Sequence, residues 1–420
     1  MFTLNNISTI TRLSTSGNEI SSLKGLNSLT KIDQLDLSDN KISSLEGLNL
    51  SVSEHAYGTF DFSGNNIKTV GELSKLASAE MDLRNNDISD ITPLKNMKSG
   101  ALYLTGNPLN ADSLALIKVL KDRGVYVEYN ETVTRVSGST RYDTAAQISQ
   151  QGWETADTVI IVRGDDFPDA LAGAPLAYQY DAPILMSAKD SLGTATTNEI
   201  KRLGATNAII LGGTGVLSDN VKSELTKLGL DTRRIGGKNR YETSKLIAEE
   251  LNPTDTAVVA FGRNFPDALA VASYAAVMGY PILLTEKESL PAETSAVLDD
   301  KSNTIVVGGT GAVSDKVYKQ LPGADRVSGA TRYETAAKII SKFDESGIPV
   351  EKAFIANGRG FADALTGSVL AAKQGAPLLL VEQSYVPAET SAAISDSKIN
   401  EFTILGGKNA VSDSIYNELK

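Results

Sequence analysis

Arginine, tyrosine, aspartate and glycine recur in this chain at fixed spacings, three times over. Together they have the chemistry to hold an anionic sugar. The stretch RVSGSTRYDT, Arg135 to Thr144, returns as RIGGKNRYET from Arg234 to Thr243 and as RVSGATRYET from Arg326 to Thr335. Arg141, Arg240 and Arg332 each offer a planar fork of donors that suits phosphate or carboxylate. Tyr142, Tyr241 and Tyr333 each offer a ring to stack on a sugar and a hydroxyl to bond it. Farther along each copy stands an acid, Asp169, Asp267 or Asp363, within GDDFPDALAG, GRNFPDALAV and GRGFADALTG. A glycine pair follows, Gly212 and Gly213, Gly308 and Gly309, or Gly406 and Gly407, where the backbone can turn tightly and approach a ligand.

Each of these residues has a second role open to it. The arginines could pair with Asp169, Asp267 and Asp363, locking a module or joining one to the next. The tyrosines could be core-edge aromatics. The aspartates fall in the first turn of a helix, where capping or the helix dipole alone would account for them. The glycine turns could be steric, and a lone G-G-x-G is too weak a pattern for a nucleotide site. The third copy departs from the others: Ala362 replaces the proline of Pro168 and Pro266, and Lys408 and Asn409 replace Thr214 and Gly215. It is therefore expected to bind more weakly.

The elements that must position these residues alternate. TADTVIIVRG, APILMS and ATNAIILGG read as buried strands, and TRYDTAAQISQQG, FPDALAGAPLAYQY, TATTNEIKRLG and LSDNVKSELTKLG as helices. That alternation implies parallel sheets covered on both faces, so each copy is a Rossmann-like parallel α/β module. Loops between strand and helix then lie at the carboxyl edge of the sheet, where such folds bind ligands and where helix N-termini attract anions.

The 420 residues, 41% hydrophobic and 22% charged, suit a folded chain of several domains. With no cysteine and one histidine, His55, no copy can build a thiol site, a Ser-His-Asp triad or a histidine metal cluster by itself. No metal site and no cofactor are expected. The net charge of −11 argues against nucleic acid. The sequence contains no run of 18 apolar residues and so no membrane span is expected. The N-terminus lacks the pattern of a signal peptide; either the protein is cytosolic, or an export signal has been removed.

Before the triple repeat, Ile10 to Leu109 follows L-x-x-L-x-L-x-x-N-x-I-x-x-L, with asparagines at 18, 40, 65, 86 and 107 recurring every ~21–25 residues. Each copy predicts a short strand of a parallel sheet, with the asparagine amide paired to backbone groups of adjacent turns. The longer third copy is expected to bulge around His55. ADSLALIKVLKDRG and VYVEYN read as a helix and strand capping the end of the stack. Asp36 points outward where Leu35 and Leu37 point inward, and beside it stack Ser14, Asp61, Asp82 and Tyr103. With Arg84 these residues form a candidate protein-recognition face or, equally, a solvated polar surface. The link near Glu131 is short, without a glycine- or proline-rich spacer.

The first third resembles the internalin-type leucine-rich repeats of Gram-positive surface proteins. The R-Y-[DE]-T, G-x-x-F-x-D-A-L, P-I-L-L and G-G-x-x-x-[VL]-S-D elements, in order and in triplicate over Val133 to Lys420, resemble the clostridial-type cell-wall-binding repeat family, type 2. That resemblance implies three modules packed as a pseudo-threefold intramolecular trimer that binds an anionic secondary cell-wall polysaccharide without a covalent bond. The expected domains are 1–132, a capped leucine-rich repeat solenoid, and modules 133–232, 233–325 and 326–420. The resemblance implies a secreted, non-catalytic protein of the cell wall or S-layer. Its solenoid would meet S-layer or host surface proteins, and the recurring Arg, Tyr, Asp and Gly residues would contact the polysaccharide. Two other readings remain open: a wall-polysaccharide hydrolase using Asp143 and Asp169, and a cytosolic nucleotide-binding protein.

Overall fold

The computed structural model describes residues 10–29, 32–50, 57–129, 133–397, 399 and 401–419. His55 and the link near Glu131 lie outside the described residues. The chain divides into two compact units, Met1–Glu131 and Thr132–Lys420.

In the first unit six short strands follow one another in a single parallel sheet: β1 (Arg12–Ser14), β2 (Gln34–Asp36), β3 (Gly58–Asp61), β4 (Ser78–Asp82), β5 (Ser99–Tyr103) and β6 (Tyr126–Glu128). Helix α1 (Ala111–Asp122) precedes the last strand, and Gly124, at φ +89°, lets the chain turn out of it. Leu35, Phe60, Met81 and Leu102 lie side by side in register and are buried. The asparagine column behind them supplies the missing backbone partners. Asn65 Nδ2 donates to the carbonyls of Leu37 at 3.0 Å and Phe62 at 3.1 Å, and its Oδ1 accepts from Ile42 N at 3.0 Å. Asn40, Asn86 and Asn107 repeat the pattern on their own turns. An apolar side chain there would leave a buried amide without its partner, at about 1–3 kcal/mol, and each carbonyl with one asparagine donor in place of two.

The second unit begins with β7 (Val133–Val136), α2 (Arg141–Gly152), β8 (Thr158–Arg163), α3 (Gly173–Gln179), β9 (Ile184–Ser187), α4 (Thr194–Leu203), β10 (Asn207–Leu211) and α5 (Asp219–Lys227). The same succession returns as β11 (Asp231–Ile235), α6 (Arg240–Glu249), β12 (Thr256–Phe261), α7 (Pro266–Met278), β13 (Ile282–Thr285), α8 (Ala292–Leu298), β14 (Asn303–Val307) and α9 (Asp315–Tyr318). It returns again as β15 (Ala324–Val327), α10 (Arg332–Glu345), β16 (Lys352–Asn357), α11 (Ala362–Lys373), β17 (Leu378–Val381), α12 (Ala388–Asp396), β18 (Glu401–Leu405) and α13 (Asp413–Glu418).

These strands form three four-stranded sheets, ordered β11-β10-β8-β9, β15-β14-β12-β13 and β7-β18-β16-β17, with every pair parallel. The expected cut at 132/133 falls between β6 and β7, beside the division of the two units, whereas those at 232/233 and 325/326 fall inside β11 and β15. The strand that opens each sequence copy completes the sheet of the preceding copy. For β7 that is the third, where Val136 pairs with Leu405. Repeat phase alone cannot reveal this, because a parallel edge strand presents the same hydrogen bonds to either neighbour.

Runs such as Val159 to Val162 are apolar at every position because helices cover both faces, and all four side chains are fully buried. One apolar core is continuous through all three sheets. Helices α3, α7 and α11 pack on one another. Gly367 lets α11 lie close on its own sheet, where a Cβ would fall 2.1 Å from Leu405 Cδ1 of β18. At the mouths of these helices Phe167, Phe265 and Phe361 meet as a ring triad, with centroids 5.4, 5.5 and 6.1 Å apart.

Candidate functional site

Helices α2, α6 and α10 begin at the repeated motif because each has a capping side chain just before its arginine. Thr140 accepts from Asp143 N while Asp143 reaches back to Thr140 N at 3.0 Å, a reciprocal box. Asn239 accepts from Tyr241 N and Glu242 N, and Thr331 from Glu334 N. The motif threonine then turns back: Thr144, Thr243 and Thr335 hydroxyls accept from the amides of Gly138, Gly237 and Gly329 at 3.0–3.1 Å.

The grooves formed at these helix starts lie at junctions between copies. One, of about 620 Å³, is lined by Thr140, Arg141 and Thr144 from the first copy and by Arg359, Asp363, Gly407 and Lys408 from the third. Another, of about 380 Å³, joins Asp267 and Gly309 of the second copy to Arg332 and Thr335 of the third. The corresponding junction of the first and second copies brings Asp169 to Thr243, whose hydroxyl donates to its carboxylate. Each arginine therefore faces the aspartate of the preceding copy and not that of its own. Arg141 is closed onto its own Gly164 carbonyl at 2.6 Å, Arg240 onto Gly262 at 2.6 Å and Arg332 onto Gly358 at 2.7 Å.

Burial pushes Asp267 up to about 6, against a partial downward pull from Arg332. Burial also raises Asp363, opposed by Arg141, and Asp169, opposed by the Thr243 bond and Arg240. A carboxyl raised in the folded state binds its proton more tightly than in the unfolded chain. Its contribution to stability is therefore fullest below the ordinary carboxyl value and declines as pH rises toward 6. Asp267→Asn is expected to flatten the fall in melting temperature between pH 4 and pH 6 and to gain about 1 kcal/mol at pH 7. Calorimetric scans across that range check it; parallel pH profiles for the two proteins would refute the assignment.

The glycines make room for these acids. Gly212, Gly308 and Gly406 adopt φ of +103°, +109° and +98°, and a Cβ on Gly308 would lie 2.5 Å from the Asp267 carboxylate. Gly213, Gly309 and Gly407 follow in the same turns. The tyrosines stand apart from the lining of the two measured grooves. Each ring covers the glycine that closes its strand, with a Cβ on Gly164, Gly262 or Gly358 falling 2.6–2.9 Å from Tyr142, Tyr241 or Tyr333. Tyr241 Oη donates to Glu286 at 2.7 Å; burial and that bond push its pKa up to about 12. Tyr333 is likewise raised to about 12 by burial and Glu382. In the first copy the matching position is Ala188.

Two further sets of repeated residues build the site. The first arginine of each motif is a staple: Arg135, Arg234 and Arg326 donate to the carbonyls of Gly406, Gly212 and Gly308 at 2.7–2.9 Å, locking the preceding glycine turn. The motif threonines are the other; their recurrence in all three copies is the available signal. Asp143 is engaged in its capping box, and Asp169 accepts from the Thr243 hydroxyl of the second copy.

On the first unit, Ser14, Asp36, Asp61, Asp82 and Tyr103 do align across the sheet. Asp36 and Asp61 are turned toward their own chain, accepting from Ser38 N at 3.1 Å and Ser63 N at 2.9 Å. Asp82 accepts from Arg84 N at 3.1 Å and pairs with its guanidinium. Arg84 also lies over the Tyr103 ring at 5.4 Å, and Tyr126 sits 5.8 Å beyond.

Comparison with known proteins follows this geometry. Cell wall binding domain 2 (CWB2) matches residues 135–222, 234–318 and 326–416. The N-acetylmuramoyl-L-alanine amidase LytC of Bacillus subtilis is 41% identical over 293 residues, 69% of this chain and 58% of that protein. The amidase enhancer of the same organism is 38% identical over 294 residues, 69% of this chain and 40% of that protein. The structure of Cwp6 from Clostridium difficile matches with a TM-score of 0.65 and 32% identity, covering 74% of this chain and 54% of that one. Cwp8 from the same organism matches with a TM-score of 0.65 and 30% identity, over 74% and 55%. The chain spans roughly half the length of these relatives.

Proposed function

Because the chain belongs to the cell wall binding domain 2 family, we propose that its three copies, arranged about a pseudo-threefold axis, hold it on an anionic secondary polysaccharide of the wall through the grooves between successive copies. The observation that carries this reading is the repeated junction itself. An arginine fork, a capped helix start and a glycine turn converge there from two copies, and such convergence suits an anionic sugar. The tyrosines are assigned the task of fixing the floor of each groove through their glycines. Several modest sites on one rigid unit gain retention through avidity.

We further infer that the first unit is a leucine-rich repeat solenoid shown to protein partners, S-layer or host surface proteins among them. The Asn ladder and the sequential parallel sheet support this reading, and the Tyr103 and Tyr126 end of the sheet supports a recognition role more than the self-engaged aspartates do. The protein is assigned a secreted, wall-associated location and a non-catalytic role. No helix among the described residues is long and apolar enough to cross a membrane. A hydrolytic reading draws on the amidase relative, but the acids that would carry it here are committed to capping and to Thr243.

The test is retention on purified walls. The intact chain should sediment with native walls and be recovered in the supernatant once the anionic polymer has been chemically stripped. Equal sedimentation with stripped walls refutes the proposed ligand, and release of new reducing ends or of new free amino groups would restore a hydrolytic reading.

A further inference from the structure

The three junctions are alike in backbone and unlike in charge. Between the third and first copies, Arg141, Arg359 and Lys408 line the groove against one carboxyl, Asp363. Between the second and third, Arg332 faces Asp267, and Thr310 and Gly311 occupy the positions of Lys408 and Asn409. In the first copy Asp165 and Asp166 stand where the third has Arg359 and Gly360, and Thr214 stands where it has Lys408. Asp165 is paired to Arg163 at 2.6 Å, which holds that carboxyl below its usual range.

Space follows charge. The groove of the third and first copies measures about 620 Å³ against about 380 Å³ for that of the second and third. The first figure falls well inside the ~300–1,000 Å³ typical of small-ligand sites. Ala362 lines this larger groove at the position where the other copies carry proline. Arg359 is held in place by a two-point bond from Nε and Nη2 to Glu382 at 2.6 and 2.7 Å, with its side chain still 70% exposed. Lys408 is 73% exposed and pairs with Asp413, itself 51% exposed, at 2.6 Å. An exposed pair of this kind contributes only ~0–1 kcal/mol, so a ligand anion can replace Asp413 at little cost.

We propose that the junction of the third and first copies is the dominant anion subsite of the unit, taking a phosphate or sugar carboxylate of the polymer between Arg141, Arg359 and Lys408. This rests on the wall-binding reading above and inverts the sequence expectation that the third copy binds more weakly. The residues that break the repeat, Ala362, Lys408 and Asn409, are then what sets this groove apart.

Calorimetric titration of the intact chain with an oligomer of glycerol phosphate and, separately, with an oligogalacturonate tests it. The native chain should bind at least one probe, and the tighter of the two identifies the anionic group. Arg359→Gln with Lys408→Thr should weaken that binding at least tenfold, whereas Arg263→Gln, the matching position of the second copy outside its groove, should leave it within twofold. Thr310→Lys with Gly311→Asn should add affinity, which keeps the test informative if the first variant folds poorly. Binding of neither probe, an unchanged Arg359→Gln/Lys408→Thr chain or an equal loss in Arg263→Gln overturns the proposal. Wall sedimentation of the native chain is scored separately. If the native chain stays on walls while neither probe binds, only this inference falls; if it leaves the walls, the wall-binding reading falls first.

Discussion

A chain carrying Arg141→Gln, Arg240→Gln and Arg332→Gln is expected to leave the cell wall, with retention down a hundredfold or more, and to remain folded at 25 °C. Each substitution removes the guanidinium fork that faces the aspartate of the preceding copy, and loss of one charge-assisted contact costs a site about tenfold. Losses at three linked sites compound, because avidity depends on simultaneous engagement. Stability also falls, since each guanidinium donates to a glycine carbonyl, but the continuous apolar core is untouched. Sedimentation with walls, read beside far-ultraviolet circular dichroism, separates the effects. Unfolding at 25 °C would make these arginines structural clamps and remove them from the ligand.

The second large effect concerns the first unit and is one of stability. Asn86→Ala is expected to cost about 1–3 kcal/mol, since it strands the buried Ile67 amide and takes one of two asparagine donors from each of the Phe62 and Leu83 carbonyls, which keep Asn65 and Asn107. Asn86→Leu should do no better, because filling the space leaves the Ile67 amide without its partner. Hydrogen exchange at the Ile67 amide and urea unfolding of the unit measure it. A cost below 1 kcal/mol would show that water replaces the amide.

Much of this was legible in the sequence. TRYDTAAQISQQG reads as a helix from its sequence, and the order of strands and helices in each copy follows from apolar runs and glycine turns. Two things were hidden. The strand at Val133 reads as the beginning of the first module, yet it pairs with β18, because nothing in a strand's own residues names its parallel neighbour. For the same reason Arg141 and Asp169 look like partners in one cleft, whereas Arg141 faces Asp363 and Asp169 faces Thr243 and Arg240. A repeat shows what each copy contains; which copy supplies the opposite wall of a groove is a property of the assembled sheets. The fourth-strand exchange also explains why Arg135, a residue of the first copy by sequence, locks a turn of the third.

The pairing of β7 with β18 bears on how the protein carries tension. If residues 133–420 are held at a surface and something pulls on the N-terminal unit, the pull reaches the anchored body at Val133, the first residue of a strand bonded alongside the last strand of the chain. Drawn along its axis, β7 can slide only if its hydrogen bonds with Phe402 to Leu405 fail together; drawn sideways, it unzips one bond at a time. The direction of the tug, more than its size, therefore decides whether the ring of modules stays shut.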